Sequence, residues 1–236
     1  GAIGSKGVFT EEIEVQLEAG RIDIAVHSAK DMQSTLPAGF ELLAFTEREL
    51  PHDVLISHRK DISLDDGHDW VIGTSSTRRV ATLRHYYPHL KTIAVRGNLQ
   101  TRIQKMEQGQ CDAMLLAYAG VHRMGFDHMI LQNLPLEIFT PAVVQGTVAV
   151  EIHQNLPLHL KDLIKKEVNH PETEYRLRAE RAFLKKMEGG CSIPAFALAH
   201  IRHNELQIEG GIISMNGKEI IRHKVIGNIS SAIHIG

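Results

Sequence analysis

The sequence predicts an α/β protein that ends in a small, separate α+β region, and three observations carry that prediction. Three successive segments read as strand, polar turn and helix: residues 70–72 before Gly73-Thr74-Ser75-Ser76-Thr77-Arg78-Arg79, residues 92–95 before Arg96-Gly97-Asn98, and residues 113–117 before Tyr118-Ala119-Gly120-Val121-His122-Arg123. A long amphipathic helical pattern opens at Pro171-Glu172-Thr173. Beyond it, strand patterns over 196–202, 206–213 and 219–226 are separated by His203-Asn204 and Asn216-Gly217, and Asn-Gly is a strong hairpin signal.

With 236 residues and 43% hydrophobic content, the chain can hold one large domain or two to three small ones. The 26 basic and 28 acidic side chains leave a net charge of -2, so no global field draws it to nucleic acid or membrane, and anion binding must come from local clustering. Cys111 and Cys191 are its 2 cysteines, far apart, which argues against a disulfide scaffold and for the reducing cytoplasm. No apolar run approaches transmembrane length, and Gly1-Ala2-Ile3-Gly4-Ser5-Lys6-Gly7 is neither a signal peptide nor a membrane anchor. The 15 histidines include no HExxH, and Tyr86-Tyr87-Pro88 breaks the helical face that His85 and His89 would need, so no metal site is expected.

In chain order, Thr10-Glu11-Glu12 caps a helix with Ile13 and Leu17 on one face, closed by Gly20. Residues 22–26 alternate as a strand whose C-terminal end delivers His27-Ser28-Ala29-Lys30-Asp31, and ligands of open α/β sheets gather at such ends. A second strand pattern near 41–45 leads through Glu47-Arg48-Glu49-Leu50-Pro51-His52-Asp53 into Val54-Leu55-Ile56-Ser57, and the proline and charge cluster reads as a crossing between domains. A polar loop over 59–69 precedes the three units.

If the units form a parallel sheet, their arginines emerge at one edge. Arginines in a helix first turn oppose the macrodipole, which favours acids there by about 0.3 to 1 kcal/mol. Bound anions offset that loss: hydroxyls, free backbone N–H groups and guanidinium forks cradle carboxylates through charge-assisted hydrogen bonds worth about 1.5 to 3 kcal/mol each. Carboxylate fits better than phosphate, because the chain has no GxxxxGK or GxGxxG loop. Lys6 is a further candidate cation.

Residues 141–151 form an apolar strand pattern interrupted by Gln145-Gly146, a sign of close backbone approach or a hinge. Helical patterns near 158–166 and from Pro171 then lead to Glu188-Gly189-Gly190-Cys191-Ser192-Ile193-Pro194, which places Cys191 on a short glycine turn. The preceding helix end and Glu188 disfavour a thiolate there, so Cys191 suits a permanent attachment better than repeated nucleophilic attack.

Five separated motifs, His27-Ser28-Ala29-Lys30-Asp31, Gly73 through Arg79, Arg96-Gly97-Asn98 with Thr101-Arg102, Gln145-Gly146 and Glu188-Gly189-Gly190-Cys191, occur in the order seen in hydroxymethylbilane synthases, also called porphobilinogen deaminases, and the chain resembles that family over essentially its whole length. The resemblance implies two α/β domains like those of periplasmic binding proteins around a cleft, plus a small α+β domain. The expected partition is 1–46 with 147–164, then 47–146, then 165–236. It also implies a monomeric transferase that deaminates four porphobilinogen molecules and joins them head to tail on a dipyrromethane cofactor. Cys191 resembles the thioether anchor, and Asp31 the catalytic carboxylate that contacts pyrrole N–H groups. Ser28, Lys30, Thr74, Ser75, Ser76, Arg78, Arg79, Arg96, Gly97, Arg102 and Gln145 resemble groups holding cofactor and substrate, with Lys6 and Arg123 as further contacts.

The chain departs from the pattern in three ways. It begins after the family's first strand, with Ala2 where lysine is common; Val144 stands where glycine usually precedes Gln145-Gly146; and it stops before a last helix. This chain expressed alone is therefore expected to be weakly active or inactive. A non-catalytic cleft protein for a polycarboxylate also accounts for the arginines but leaves Asp31 and Cys191 without a role. A nucleic-acid module fits worse, since no aromatic platform accompanies the arginines.

Overall fold

The computed structural model describes residues 5–187 and 193–236, with the side chains of residues 5–9 excepted. Helix α1 (Ser5–Glu18) leads into β1 (Ala25–Ser28) and β2 (Phe40–Phe45). Residues 46–52 then cross without regular secondary structure to β3 (Asp53–Ile56), which is followed by β4 (Val71–Gly73), α2 (Thr77–Tyr86), β5 (Lys91–Ile93), α3 (Leu99–Glu107), β6 (Ala113–Ala117), α4 (Tyr118–Arg123) and β7 (Ile130–Asn133). The chain returns to β8 (Val148–His153), then runs through α5 (Leu158–Val168), α6 (Pro171–Lys186), β9 (Ala195–Arg202), β10 (Glu205–Ile213), β11 (Ile220–Asn228) and α7 (Ala232–Ile235).

The described residues form three sheets. The first, in order β1-β8-β2, is antiparallel throughout, with β8 arriving from far along the chain to sit at its centre. The second has the order β5-β4-β6-β3-β7. Within it β4 runs parallel to β5 and β6, as the three strand–turn–helix units require, whereas β3 is antiparallel to β6 and β7. The third is the β9-β10-β11 meander.

Alternation along the second sheet sends Leu55 and Leu115 to one face, with Leu83 and Phe139, and Val54, Ile56, Met114 and Leu116 to the other, with Ile103 and Met106. Both faces are buried, which is why these strands read as continuous apolar runs. The meander turns where expected. His203 and Asn204 both have positive φ (49° and 66°), the backbone of a two-residue hairpin whose twist matches its strands.

Helix α6 begins with Pro171 at its start and His170 Nδ1 accepting from Thr173 N at 3.2 Å, carries Glu172 and Glu174 in its first turn, and ends on Lys185 and Lys186. It buries Glu180 completely. Glu180 accepts from Arg48 Nη1 at 2.5 Å, Val144 N at 2.6 Å and Ala199 N at 2.8 Å, and so ties both inter-sheet crossings to the third sheet.

The apolar run over 141–151 differs from its reading as one strand. Pairing starts only at Val148, and residues 143–146 form a turn with Val144 at φ 57° and Gly146 at φ 93°. Val143 and Val144 are apolar because the turn is packed in the core. The two crossings lie against each other: Glu49 N donates to Gly146 O at 2.9 Å and Arg48 Nε to Gln145 O at 2.8 Å. A Cβ on Gly146 would stand 2.7 Å from Glu49 O, so glycine is required for contact as well as conformation. Among the described residues, no helix is long and apolar enough to cross a membrane.

Candidate anion cleft between the first two sheets

Strand β4 ends at Gly73, and Thr74 N continues its pairing by donating to Ile93 O at 2.8 Å. Ser76 then caps α2, its hydroxyl accepting from Arg79 N at 3.4 Å, which sets Arg78 and Arg79 in the first helical turn. Because β3 runs antiparallel to β6, with Asp53 opposite Ala117, Asp53 lands at the same edge as the C-terminal ends of the parallel strands. Its carboxylate takes Arg78 Nη2 on Oδ2 and Arg79 Nη2 on Oδ1, both at 2.7 Å, and Gln145 Nε2 on Oδ1 at 2.9 Å. The other terminal nitrogens are held by main-chain carbonyls, Arg78 Nη1 by Thr140 O at 2.9 Å and Arg79 Nη1 by Leu115 O at 3.1 Å.

Asp53, Arg78 and Arg79 are 0%, 4% and 7% exposed. Burial alone would push the Asp53 pKa up; the charges of Arg78 and Arg79, with hydrogen bonds from Arg79 and Gln145, reverse this and hold it well below the usual carboxylate range. Burial also lowers the Arg78 pKa, further lowered by Arg79 and opposed by Asp53. One carboxylate thus faces two guanidinium groups, whose Nε atoms are buried without a hydrogen-bond partner among the described residues.

The first sheet supplies the other wall. Beyond β1 the chain makes a single 3-10 turn over Ala29–Asp31, anchored by fully buried Ala29, whose N–H donates to Thr147 O at 2.9 Å. Lys30 lies within electrostatic reach of Arg79, Asp31, Asp53 and Arg78; burial and then Arg79 lower its pKa to about 8, against the opposing pull of the two carboxylates. Arg102, on capped helix α3, has its pKa lowered by burial and by Arg79 and raised by Asp31, and its Nε is likewise buried without a partner. Lys30, Asp31, Arg78, Arg79 and Arg102 therefore belong to one electrostatic cluster, in which four cations meet the carboxylates of Asp31 and Asp53.

The remaining expected site residues are distributed more widely. Ser28 ends β1 opposite Val148, Thr74 is buried with its hydroxyl accepting from Ser76 N at 3.3 Å, and Ser75 donates to Val95 O at 3.0 Å. Gln145 reaches Asp53 from the return crossing. Arg96 is exposed on the turn after β5, beside Gly97 at φ 124°, where a Cβ would press on Thr101 at 2.9 Å. Arg123 is exposed and sits in the last turn of α4, the end at which a cation suits the macrodipole, rather than in its first turn. Lys6 lies in α1 with its side chain outside the description, and Cys191 lies outside the described residues altogether.

Sequence reasoning missed Asp53 as a member of the cluster, placing it in a charged crossing; the available signal was its position flush against the apolar strand Val54-Leu55-Ile56. A hollow of about 230 Å³ involving Ser57, His58 and Lys60 lies at the opposite end of β3 and is separate from the cluster.

Residues 1–158 match the family model described as porphobilinogen deaminase, dipyromethane cofactor binding domain, and residues 175–236 the porphobilinogen deaminase C-terminal domain. A porphobilinogen deaminase from Desulfosudis oleivorans is 55% identical over 235 residues, covering 99% of this chain and 76% of that protein. One from Cytophaga hutchinsonii is 55% identical over 223 residues, covering 94% and 72%. Among solved structures, a substrate-binding domain of a putative amino acid ABC transporter from Streptococcus pneumoniae is 14% identical with a TM-score of 0.43, over 75% of this chain and 73% of that one. A cofactor whose pyrroles bear acetate and propionate groups fits a cluster with more cations than carboxylates. With both halves of the chain matched and this identity to the curated relatives, the chain belongs to the porphobilinogen deaminase family.

Proposed function

We propose that this chain is a monomeric cytoplasmic transferase that removes ammonia from porphobilinogen and joins four of the pyrroles head to tail, extending a dipyrromethane attached to Cys191. The observation that carries the reading is the meeting of Lys30 and Asp31 from one sheet with Arg78, Arg79 and Arg102 from another, in a cluster with more cations than carboxylates. The proposed partition into 1–46 with 147–164, 47–146 and 165–236 puts one wall of the cleft on each of the first two parts and Cys191 on the third.

Bound dipyrromethane supplies the nucleophilic pyrrole carbon that starts the chain. The protein's own groups do the rest. Lys30, Arg78, Arg79 and Arg102 hold acetate and propionate groups, helped by Ser28, Thr74, Ser75, Ser76 and Gly97, with Arg96, Arg123, Gln145 and Lys6 further along the path. Such anchoring fixes the reacting carbons and lowers the entropic part of the barrier. Asp31, exposed at the end of its turn, accepts from pyrrole N–H groups and sets negative charge beside the cation left when ammonia departs. Removing one preorganised electrostatic group from a catalytic site costs about 3 to 4 kcal/mol where it has been measured for a hydrogen-bond donor, which sets the scale for Asp31.

The test combines turnover with intact mass of the holoenzyme. Asp31→Asn should keep the dipyrromethane adduct and lose hydroxymethylbilane formation by at least 100-fold, while Cys191→Ser should lack the adduct. Full turnover by Asp31→Asn, or an adduct retained by Cys191→Ser, contradicts the assignment.

A further inference from the structure

Asp53 is too deeply buried to meet a substrate, yet both arginines of the pair close on it. We infer that Asp53 is a positioning residue for porphobilinogen binding, setting the orientation and residual charge of Arg78 and Arg79; this rests on the reading of the cleft proposed above.

A guanidinium is a rigid, planar group. Its five N–H donors lie in one plane, so fixing both terminal nitrogens fixes the direction of Nε–H as well. Asp53 and the carbonyls of Thr140 and Leu115 hold both terminal nitrogens of both arginines, and Nε is what remains unpartnered on each. The main-chain carbonyls alone would leave each fork held at one corner and free to swing. The carboxylate supplies the second corner for both at once.

Charge is the second part. One negative charge beneath two positive ones lowers the cost of burying the pair without cancelling it. A second carboxylate would neutralise the arginines and remove their attraction for a ligand anion; a neutral residue would leave two like charges pressed together without a counter-ion. Asp53 is itself oriented by Gln145, whose Nε2 also donates to Pro51 O at 2.8 Å, so the setting of the arginines is tied to both inter-sheet crossings.

A substrate-independent grip of this kind affects binding in the ground and transition states alike and therefore appears in KM. The test compares Asp53→Asn, Arg79→Gln and the double variant in the holoenzyme, with porphobilinogen as the titrant. Arg79→Gln reports on the cleft alone: an unchanged KM would overturn the cleft reading and this inference with it. Given a raised KM there, Asp53→Asn should raise KM at least tenfold while kcat falls less than threefold. In the double variant, the KM increase should fall short of the product of the single increases by at least threefold, because Asp53 acts partly through Arg79.

An Asp53→Asn enzyme with wild-type KM, a loss confined to kcat, or increases that simply multiply would each overturn the inference while leaving the cleft reading intact. If Asp53→Asn does not fold, Asp53→Glu, which keeps the charge on a longer stem, replaces it in the same cycle with the same KM-against-kcat and non-additivity criteria.

Discussion

Among the described residues two carboxylates, Asp53 and Glu180, are fully buried against arginine, and they differ in how their charge is met. Glu180 faces one guanidinium, that of Arg48, and fills its remaining acceptor positions with the main-chain N–H groups of Val144 and Ala199. Asp53 faces two guanidinium groups and the Gln145 amide, with Lys30 and Arg102 in the same electrostatic cluster. The first group is balanced within the fold and needs nothing from outside. The second is left with surplus positive charge, which a ligand carrying carboxylates would offset. Balance marks the joint between sheets, and imbalance marks the proposed site.

Breaking the balanced group should produce the largest change in stability and little change in substrate affinity. Glu180→Gln leaves Arg48 as a buried charge without its counter-ion, and losing one partner of such a pair costs about 3 to 5 kcal/mol. Denaturant unfolding should show that loss, with KM for porphobilinogen close to wild type in the folded fraction. A raised KM at unchanged stability would erase the distinction.

A somewhat smaller effect is expected where the crossings touch. Gly146→Ala forces an L residue to φ 93° and drives a Cβ against the Glu49 carbonyl at 2.7 Å, at a cost of about 2 to 3 kcal/mol in unfolding free energy. Unchanged stability would show that the crossings yield easily.

The unbalanced cluster should respond to pH through Lys30, whose folded pKa stands at about 8. As pH rises through that value the ammonium loses its proton, and KM should climb about tenfold, equivalent to about 1.4 kcal/mol of a charge-assisted contact. Lys30→Gln should have the higher KM throughout and lack this limb. The stability effect has the opposite sense. A lowered lysine pKa makes folding costlier while the unfolded chain remains protonated, so this cost is fully present below about 8 and vanishes as pH passes the unfolded value near 10.4.

At Val144 the telling quantity is a small difference between two variants. Its φ of 57° suits glycine, but its side chain is 2% exposed in the core. Val144→Ala should lose about 1 to 2 kcal/mol of packing, and Val144→Gly should be no worse than Val144→Ala, since relief of the left-handed backbone offsets the extra chain entropy of about 1 kcal/mol. A glycine variant clearly less stable than the alanine variant would show that the backbone there is unstrained.

The features legible in the sequence are those set by local pattern. Doubly buried strands gave continuous apolar runs, the polar turns after residues 70–72 and 92–95 announced α2 and α3, and His203-Asn204 marked a tight turn. Arginines at the start of α2 pointed to an anionic partner. Part of that anion lies within the chain, because β3 is inserted antiparallel and carries Asp53 to the arginine edge, and strand direction is a long-range property that no window around Asp53 reveals. The apolar turn over 143–146 was illegible for a related reason: its valines are apolar through packing against the third sheet and α6 rather than through strand pairing.

The most direct measurement is a crystal structure of the holoenzyme. Dipyrromethane carboxylates should lie within hydrogen-bonding distance, about 3 Å, of Arg79 and Arg102, with Asp31 facing the pyrrole N–H groups. Carboxylates directed into solvent or onto another face, with the arginines contacting protein alone, would contradict the proposed cleft.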